Sequence, residues 1–443
     1  MPYSHKPAQL NAKIWALAWP MILANLSLPL FGLVDTAVLG HLPDDRHLGA
    51  VAIGASLLSL SYWAFGFLRM GTTGASAQSR SSDADALLLK ALCSGLILSL
   101  LIYSAAPLLR GAGLQLMNTD AALLPLADNY LRLRLLSAPA VLGSYAVIGW
   151  LLGQQRARWP LAIALCSNLL NIALDLLLII GLGMASEGAA IASAMSEYAG
   201  FALALFAVRE PLQRALRRGV GQSLRRGIPL RRFARSNAQI FVRTTALLFS
   251  FSFFTAQGAA QGSSILAANA ILMQLVLAAA YGMDGFAHAA EALAGRAYGD
   301  RDRRAFIAVC KTCGRWALYS ATAASLLLLL GEQAILSAMT NIHEVRTAAS
   351  QYYGWLVLLP LLSAASYCYD GIFIGTLRTA AMQYSMLLCV AGIYLPLWYL
   401  CRDWGNHGLW LAFATFNACR GISLALCFQW LFSPQHWPAS GKK

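Results

Sequence analysis

Charged side chains are scarce in this sequence: only 12% of its 443 residues are Asp, Glu, Lys or Arg, and 58% are hydrophobic. An ordinary soluble domain carries about 25% charged residues, so the composition excludes that class. A membrane-spanning helix needs about 20 apolar residues. The sequence therefore predicts an all-α integral membrane protein with twelve transmembrane helices, at residues 14–40, 48–76, 88–110, 122–152, 159–183, 187–208, 237–261, 264–294, 308–331, 348–376, 381–401 and 408–432.

Motifs for catalysis and for cofactors are also missing. The chain has no Gly-x-x-x-x-Gly-Lys-Ser/Thr loop for a nucleotide, and its seven His are scattered without a Ser/His/Asp order. The Cys310-x-x-Cys313 pair lacks the second pair or neighbouring His that a zinc site needs. We expect no cleavable signal peptide, because the N-terminal residues lack a short apolar region followed by a cleavage site. We expect no enzyme, no metal centre and no cofactor.

The basic residues behind the net charge of +14 are concentrated on one predicted side of the membrane. If both termini are cytoplasmic, 24 of the 33 Lys and Arg fall in cytoplasmic segments and four in the opposite loops. This is the positive-inside bias, and basic residues in such positions touch anionic lipid. We therefore expect a multi-pass protein of a bacterial inner membrane with both termini inside, and no nucleic-acid partner.

A weak internal repeat divides the chain at its longest basic segment. Residues 1–208 and 237–443 are predicted to form two lobes of six spans each, joined by the basic cytoplasmic linker 209–236. Pro139 matches Pro360 at an offset of 221, and Gly149 matches Gly371 at an offset of 222. Six spans per copy make the repeats parallel, and the substrate site of such folds lies between the halves near the midplane.

Polar residues inside the spans are concentrated in the first half. Asp35 lies in the first span, where a charge at membrane depth costs about 3 kcal/mol. Asn168, Asn171 and Asp175 share one helix face in the fifth span. A water-poor pocket and a second carboxylate both make a carboxylate easier to protonate. We expect proton coupling at these four residues, and Na⁺ bound by Asp35, Asn171 and Asp175 remains the alternative.

Further ionisable residues inside spans are secondary candidates for the cavity. One acid lies in the sixth span, two in the eighth and one in the tenth: Glu197, Asp284, Glu291 and Asp370. Arg69 of the second span is the expected type of partner for one of them. Ion pairs that merely join helices are the alternative interpretation of this set.

Five stretches carry a resemblance to a known family: Leu33-Val-Asp-Thr-Ala-Val-Leu-Gly-His41, Phe67-Leu-Arg-Met-Gly-Thr-Thr-Gly74, Asp284-Gly-Phe286, Asp370-Gly-Ile-Phe-Ile-Gly375 and Gly405-Asn-His-Gly-Leu-Trp410. Over essentially its whole length the chain resembles the multidrug and toxic compound extrusion (MATE) family, in its DNA-damage-inducible protein F branch. The resemblance implies two six-helix lobes arranged as a V. It also implies export of lipophilic, often cationic compounds against an inward flow of H⁺ or Na⁺.

The resemblance also implies roles for single residues. The first-helix aspartate of the family falls on Asp35, its Asn-x-x-x-Asp on Asn171 and Asp175, its fourth-helix tyrosine on Tyr130 and a sixth-helix hydroxyl on Ser193. The sodium-coupled branch uses acids in helices seven and ten. Span seven has no acid here, whereas Asp370 lies in span ten.

Together these points predict a proton-coupled antiporter that exports lipophilic or cationic organic compounds by alternating access. A sodium-coupled exporter, a flippase for a lipid-linked precursor and a membrane-embedded lipid-modifying enzyme are the alternatives. The expected partners are small-molecule substrates and membrane lipids, and we expect a monomer.

Overall fold

The computed structural model describes residues 7–40, 44, 46–117 and 119–437. Within these ranges the side chains of residues 28–31, 33, 35, 36, 81, 109 and 116 are not described. The chain is almost wholly helical, as the long apolar runs predict. Its first half contains helices α1 (Pro7–Leu39), α2 (Arg46–Ala64), α3 (Phe67–Gln78), α4 (Ser81–Leu116), α5 (Leu124–Leu135), α6 (Ala138–Gly153), α7 (Arg158–Asp175) and α8 (Ala185–Ala207).

The second half is preceded by two short helices in the basic linker, α9 (Arg209–Arg217) and α10 (Val220–Arg225). The remaining helices are α11 (Leu230–Ala259), α12 (Ser263–Gly299), α13 (Arg303–Met339), α14 (His343–Gly375), α15 (Thr379–Cys389), α16 (Leu395–Cys401) and α17 (Asn406–Leu431). Each of the twelve predicted spans falls on one helix or on two or three consecutive helical segments.

Ten of these helices or helix runs, among the described residues, are long and apolar enough to cross a membrane. Counted as one span, the pair α5 and α6, bent by 46° at residues 136–137, brings the number to eleven. The first predicted span corresponds to α1, a helix of 33 residues that includes seven of the ten undescribed side chains. The prediction of a multi-pass, all-α membrane protein is confirmed.

Contacts group the chain into two compact units. The N-terminal unit comprises Leu23–Ala234, and the C-terminal unit comprises Arg235–Lys443 together with Met1–Ile22. Trp15 of α1 shows why the first turns belong to the C-terminal unit, because its ring packs edge-on against Phe286 and Trp316 at centroid distances of 5.3 and 5.0 Å. The division into lobes at residues 1–208 and 237–443 stays a prediction.

The repeated glycines mark the same close helix contact in each unit. A Cβ atom at Gly149 of α6 would collide with the backbone carbonyl of Arg69 on α3. A Cβ atom at Gly371 of α14 would collide with the backbone carbonyl of Ala287 on α12. Only glycine permits helices to approach this closely, which is how small residues hold membrane helices together. The repeated glycine therefore allows the same kind of close helix–helix contact in each of the two units.

The linker is helical and docked within the N-terminal unit. Asp85, near the start of α4 and 4% exposed, accepts hydrogen bonds from Arg214 at 2.9 Å and from Arg218 at 3.4 Å. The buried ammonium of Lys90 donates to the carbonyls of Arg226 and Ile228, the latter at 2.7 Å. Three of the nine linker arginines are thus paired with acids of α4, since Arg226 also bonds Asp83 at 2.8 Å.

Candidate functional site

The polar face of α7 is buried in the N-terminal unit, as the sequence predicts. Asn168 is 8% exposed, and Asn171 and Asp175 are fully buried. The α-helical hydrogen-bonding pattern ends at Asp175, and residues Leu176–Gly181 continue as a π-helix. Short π-helical segments are rare and often lie at functional sites. The candidate carboxylate therefore sits where the helix changes its winding.

Two amides join this face to neighbouring helices. The Nδ2 of Asn168 donates to the backbone carbonyl of Ser27 on α1 at 2.9 Å. The Nδ2 of Asn171 points at the hydroxyl of Ser193 on α8 at 3.4 Å, while its Oδ1 is buried without a hydrogen-bond partner among the described residues. The predicted neighbours Asn171 and Ser193 are therefore brought together.

The contact between Asn168 and Ser27 also fixes the level of Asp35. Spans one and five cross the membrane in the same direction, because both are odd-numbered. Asp35 follows Ser27 by eight residues on α1, and Asp175 follows Asn168 by seven on α7, both about two helical turns. If the two helices run in the same direction, as the predicted span order requires, the backbone at Asp35 is expected near the level of Asp175; the Asp35 side chain lies outside the described residues.

Tyr130 is buried on α5, one turn before Arg134. It is 2% exposed, and its ring lies where a Cβ atom on Gly54 of α2 would be. The glycine therefore makes room for the tyrosine, which explains why the small residue lies on that face of α2. The structure places Tyr130 in the interior of the N-terminal unit, on a helix that packs against α8, which carries Ser193 and Glu197.

Glu197 is held by an arginine that sequence reasoning did not select. Both terminal nitrogens of Arg134 donate to the Glu197 carboxylate, at 2.7 and 2.8 Å, and the two side chains are 9% and 18% exposed. Arg69, the expected type of partner, is partly buried on α3 near Tyr145 instead. An arginine inside an apolar span was the available signal, since such a charge needs a buried counter-charge.

Asp370 of α14 is held by two arginines in the C-terminal unit. One carboxylate oxygen, Oδ2, accepts from Arg243 of α11 and from Arg420 of α17, the latter at 3.0 Å. Arg420 also donates to Asn417 at 3.1 Å. All three charged residues are more than nine-tenths buried. This cluster joins three spans and was not predicted from the sequence.

The two acids of α12 have different surroundings. Glu291 is 2% exposed and lies 3.3 Å from the Nδ1 of His288, one turn earlier on the same helix. Asp284 is partly buried and lies in electrostatic range of Tyr281 and Tyr367. Neither acid belongs to the unit that contains Asp175, so the predicted candidates are divided between the two units.

The C-terminal unit does not repeat the polar face of α7. The positions aligned with Asn168, Asn171 and Asp175 are Val390, Ile393 and Leu397, and they lie in the second π-helical segment, Val390–Tyr394, and in α16. The change of winding is therefore shared by both units, whereas the carboxylate and the amides belong to the N-terminal unit alone.

Comparisons with known proteins show which family and which fold the chain belongs to. A family model described as MatE matches residues 20–177 and 239–400, two segments whose starts lie 219 residues apart. DNA damage-inducible protein F of Escherichia coli (strain K12) is 40% identical over 432 residues, which cover 96% of this chain and 92% of that protein. Protein DETOXIFICATION 44, chloroplastic, of Arabidopsis thaliana is 25% identical, covering 95% and 83%.

Solved structures share the fold at low sequence identity. A Vibrio cholerae MATE transporter has a TM-score of 0.86 at 19% identity, covering 97% of this chain and 99% of that one. A MOP superfamily transporter from Pyrococcus furiosus has a TM-score of 0.84 at 18% identity, with the same coverage. The overall architecture is therefore that of these membrane transporters.

Proposed function

The chain belongs to the MatE family, whose members are transporters and not enzymes, and we propose that it exports lipophilic or cationic organic compounds in exchange for protons. As a multi-pass membrane protein of this family it handles small-molecule substrates. The proton, the direction of transport and the chemical class of the substrate are the parts we propose. We further propose a bacterial inner membrane with both termini cytoplasmic.

The observation that carries the proposal is the buried polar face of α7. Asp175 is fully buried next to the amide of Asn171, in a membrane-embedded unit. An ionised carboxylate in such surroundings is expensive, and protonation removes the charge. A group whose two protonation states differ so much in solvation energy can link proton uptake to a change in structure or in ligand binding.

The surroundings of Asp370 favour coupling to protons over coupling to sodium ions. It is the acid in span ten that keeps a sodium-coupled mechanism open, and it accepts hydrogen bonds from two guanidinium groups, those of Arg243 and Arg420. A Na⁺ ion bound to this carboxylate would lie beside two positive charges, which is unfavourable at low dielectric. We therefore assign Asp370 a role in joining helices.

A flippase for a lipid-linked precursor is supported less well. Such a protein is expected to present cationic side chains that hold a pyrophosphate. The interior arginines Arg134, Arg243 and Arg420 are each bound to a carboxylate instead. Glu197 balances the charge of Arg134, whereas Arg243 and Arg420 share one carboxylate and keep one net positive charge between them. Their hydrogen bonds to Asp370 occupy both guanidiniums, and this favours the exporter.

Everted membrane vesicles test the proposal. Respiration acidifies their lumen, and an organic cation such as ethidium is then added with Na⁺ absent. We expect the cation to dissipate the pH gradient with the wild-type chain and not with Asp35→Asn or Asp175→Asn. Asp403→Asn is the matched control, because its side chain is 90% exposed, and it should behave as wild type.

Sodium coupling is tested in the same vesicles at a clamped pH. Proton exchange requires that cation uptake does not change when Na⁺ replaces K⁺. Uptake that needs a Na⁺ gradient and ignores the pH gradient would overturn the choice of coupling ion. Equal dissipation by wild type and by both aspartate variants would overturn the assignment of the site.

A further inference from the structure

The N-terminal unit contains a second buried charge pair beside the polar face of α7. The guanidinium of Arg134 and the carboxylate of Glu197 are joined by two hydrogen bonds of 2.7 and 2.8 Å. Such forked pairs are among the strong hydrogen-bonded contacts of proteins. Removing either partner leaves a buried, uncompensated charge, so the two residues act on their surroundings as a unit of zero net charge.

The pair involves α8, the helix that packs against α7, and lies about two helical turns from Asp175. Glu197 follows Ser193 by one helical turn on α8, and the hydroxyl of Ser193 is the atom that the amide of Asn171 reaches. Further along, Gly200 of α8 packs against Ser167 of α7, so the two helices stay in contact over this length. These two contacts show that α7 and α8 run antiparallel, so Glu197 is level with the region of Asn168 and is offset from Asp175 by at least about 10 Å along the helices.

We propose that Arg134 and Glu197 are positioning residues for proton exchange at Asp175: Glu197 fixes the guanidinium of Arg134 in the interior, and the balance of these two charges sets the pH at which exchange occurs. This inference rests on the proposed function. It assigns a role to Arg134, a residue outside the polar face of α7. It also predicts that neutralising Arg134 and neutralising Glu197 move the midpoint of the pH profile in opposite directions.

The other polar groups around the pair are mostly neutral. Tyrosines from three packed helices lie in electrostatic range of Arg134 or Glu197: Tyr62 of α2, Tyr130 of α5 and Tyr145 of α6. On α7 and α8 the polar residues nearest to Asp175 in the helical register are Asn171 and Ser193, which are neutral. Asp35 of α1 is the further titratable residue of the proposed coupling site, and its side chain lies outside the described residues. Arg69 of α3 is a further charge, and it lies near Tyr145.

The sign of each effect follows from Coulomb's law. Glu197→Gln leaves the positive charge of Arg134 uncompensated, which stabilises ionised Asp175 and moves the midpoint of the pH profile to lower pH. Arg134→Gln removes the counter-charge of Glu197, and wherever Glu197 is ionised its negative charge stabilises protonated Asp175 and moves the midpoint to higher pH. A unit charge about 10 Å away, at an effective dielectric constant of about 20, changes a proton affinity on the order of tenfold, or about one pH unit.

The test uses the purified full chain in proteoliposomes. Ethidium-driven proton exchange is measured over the pH range in which carboxylates and histidines titrate, for wild type, Glu197→Gln, Arg134→Gln and the double variant. The double variant removes both charges, so its midpoint should return to that of wild type. Asp128→Asn is the control, because Asp128 forms a single 2.8 Å bond with Arg110 in the same unit and its side chain is 43% exposed. We expect no shift in that control.

Opposite shifts that cancel in the double variant support the inference. Reduced exchange in both single variants at an unshifted midpoint would overturn it, because the pair would then only stabilise the fold. If Arg134→Gln fails to accumulate, Glu197→Asp replaces it as the comparison, since it keeps the charge and should leave the midpoint unshifted while Glu197→Gln lowers it. Absence of any proton-linked exchange in the wild type would instead overturn the proposed function, and this inference with it.

Discussion

Replacing Asp370 by Asn tests whether this carboxylate holds three helices together or takes part in coupling transport to an ion. The carboxylate is the shared counter-charge of Arg243 and Arg420, so its loss leaves two buried guanidiniums without a compensating charge. Breaking a buried ion pair from one side costs about 3–5 kcal/mol. For a unit of this size, each kcal/mol lowers the midpoint of thermal unfolding by about 2–4 °C, so we expect a drop of at least about 6 °C.

The comparison variant is Arg243→Gln. It leaves Asp370 paired with Arg420, and that bond is 3.0 Å long, so one counter-charge is retained. We expect a smaller drop than for Asp370→Asn. Thermal unfolding of the detergent-solubilised full chain, followed by intrinsic tryptophan fluorescence, gives both values. Asp403→Asn, in the same unit and exposed, should leave the midpoint unchanged.

The two roles give different results in transport assays. If Asp370 joins helices, the folded fraction of Asp370→Asn should still exchange protons for substrate with a wild-type pH profile. An unchanged unfolding midpoint together with lost exchange would refute the reasoning, because the carboxylate would then be needed for coupling and not for stability. A newly altered Na⁺ dependence in that variant would refute it in the same way.

Three further predictions concern packing and docking. Gly149→Ala introduces a Cβ against a backbone carbonyl and should destabilise the chain by about 1–3 kcal/mol in thermal unfolding, whereas Gly111→Ala, with open space around it, should not. Asp85→Asn removes the acid that holds α9 and should speed tryptic cleavage of the linker in vesicles, while the exposed Glu210→Gln should leave cleavage unchanged. Asn168→Ala removes a hydrogen bond to the backbone of α1 and should lower the free energy of unfolding by about 1 kcal/mol, with the amount of protein inserted in the membrane unchanged.

Much of the fold could be predicted because membrane segments are encoded locally. Each span is a continuous apolar run, and the bias of Lys and Arg follows from the loops alone. The glycines could be predicted for a similar reason, since Gly149 and Gly371 recur at a fixed offset and each faces a neighbouring backbone. The division of α1 between two units could not be predicted, because it depends on aromatic contacts of Trp15 with residues far away in sequence.

The candidate site was predicted in part. The helical spacing of Asn168, Asn171 and Asp175 places all three on one buried face, and the structure agrees. The partners of the secondary acids could not be assigned, because ion pairs between helices depend on how the helices pack and not on local spacing. Arg134 illustrates this, since it lies 63 residues from Glu197.

Proton counting in proteoliposomes tests the central claim most directly. Purified chain is reconstituted with a trapped pH indicator, the membrane potential is clamped, Na⁺ is absent, and a gradient of an organic cation is imposed. The proposed function predicts that the cation gradient drives protons in the opposite direction with the wild type and not with Asp175→Asn. Cation movement that leaves the indicator unchanged in the wild type, or equal proton movement in both proteins, would contradict the assignment of Asp175 as the carboxylate that exchanges protons for substrate.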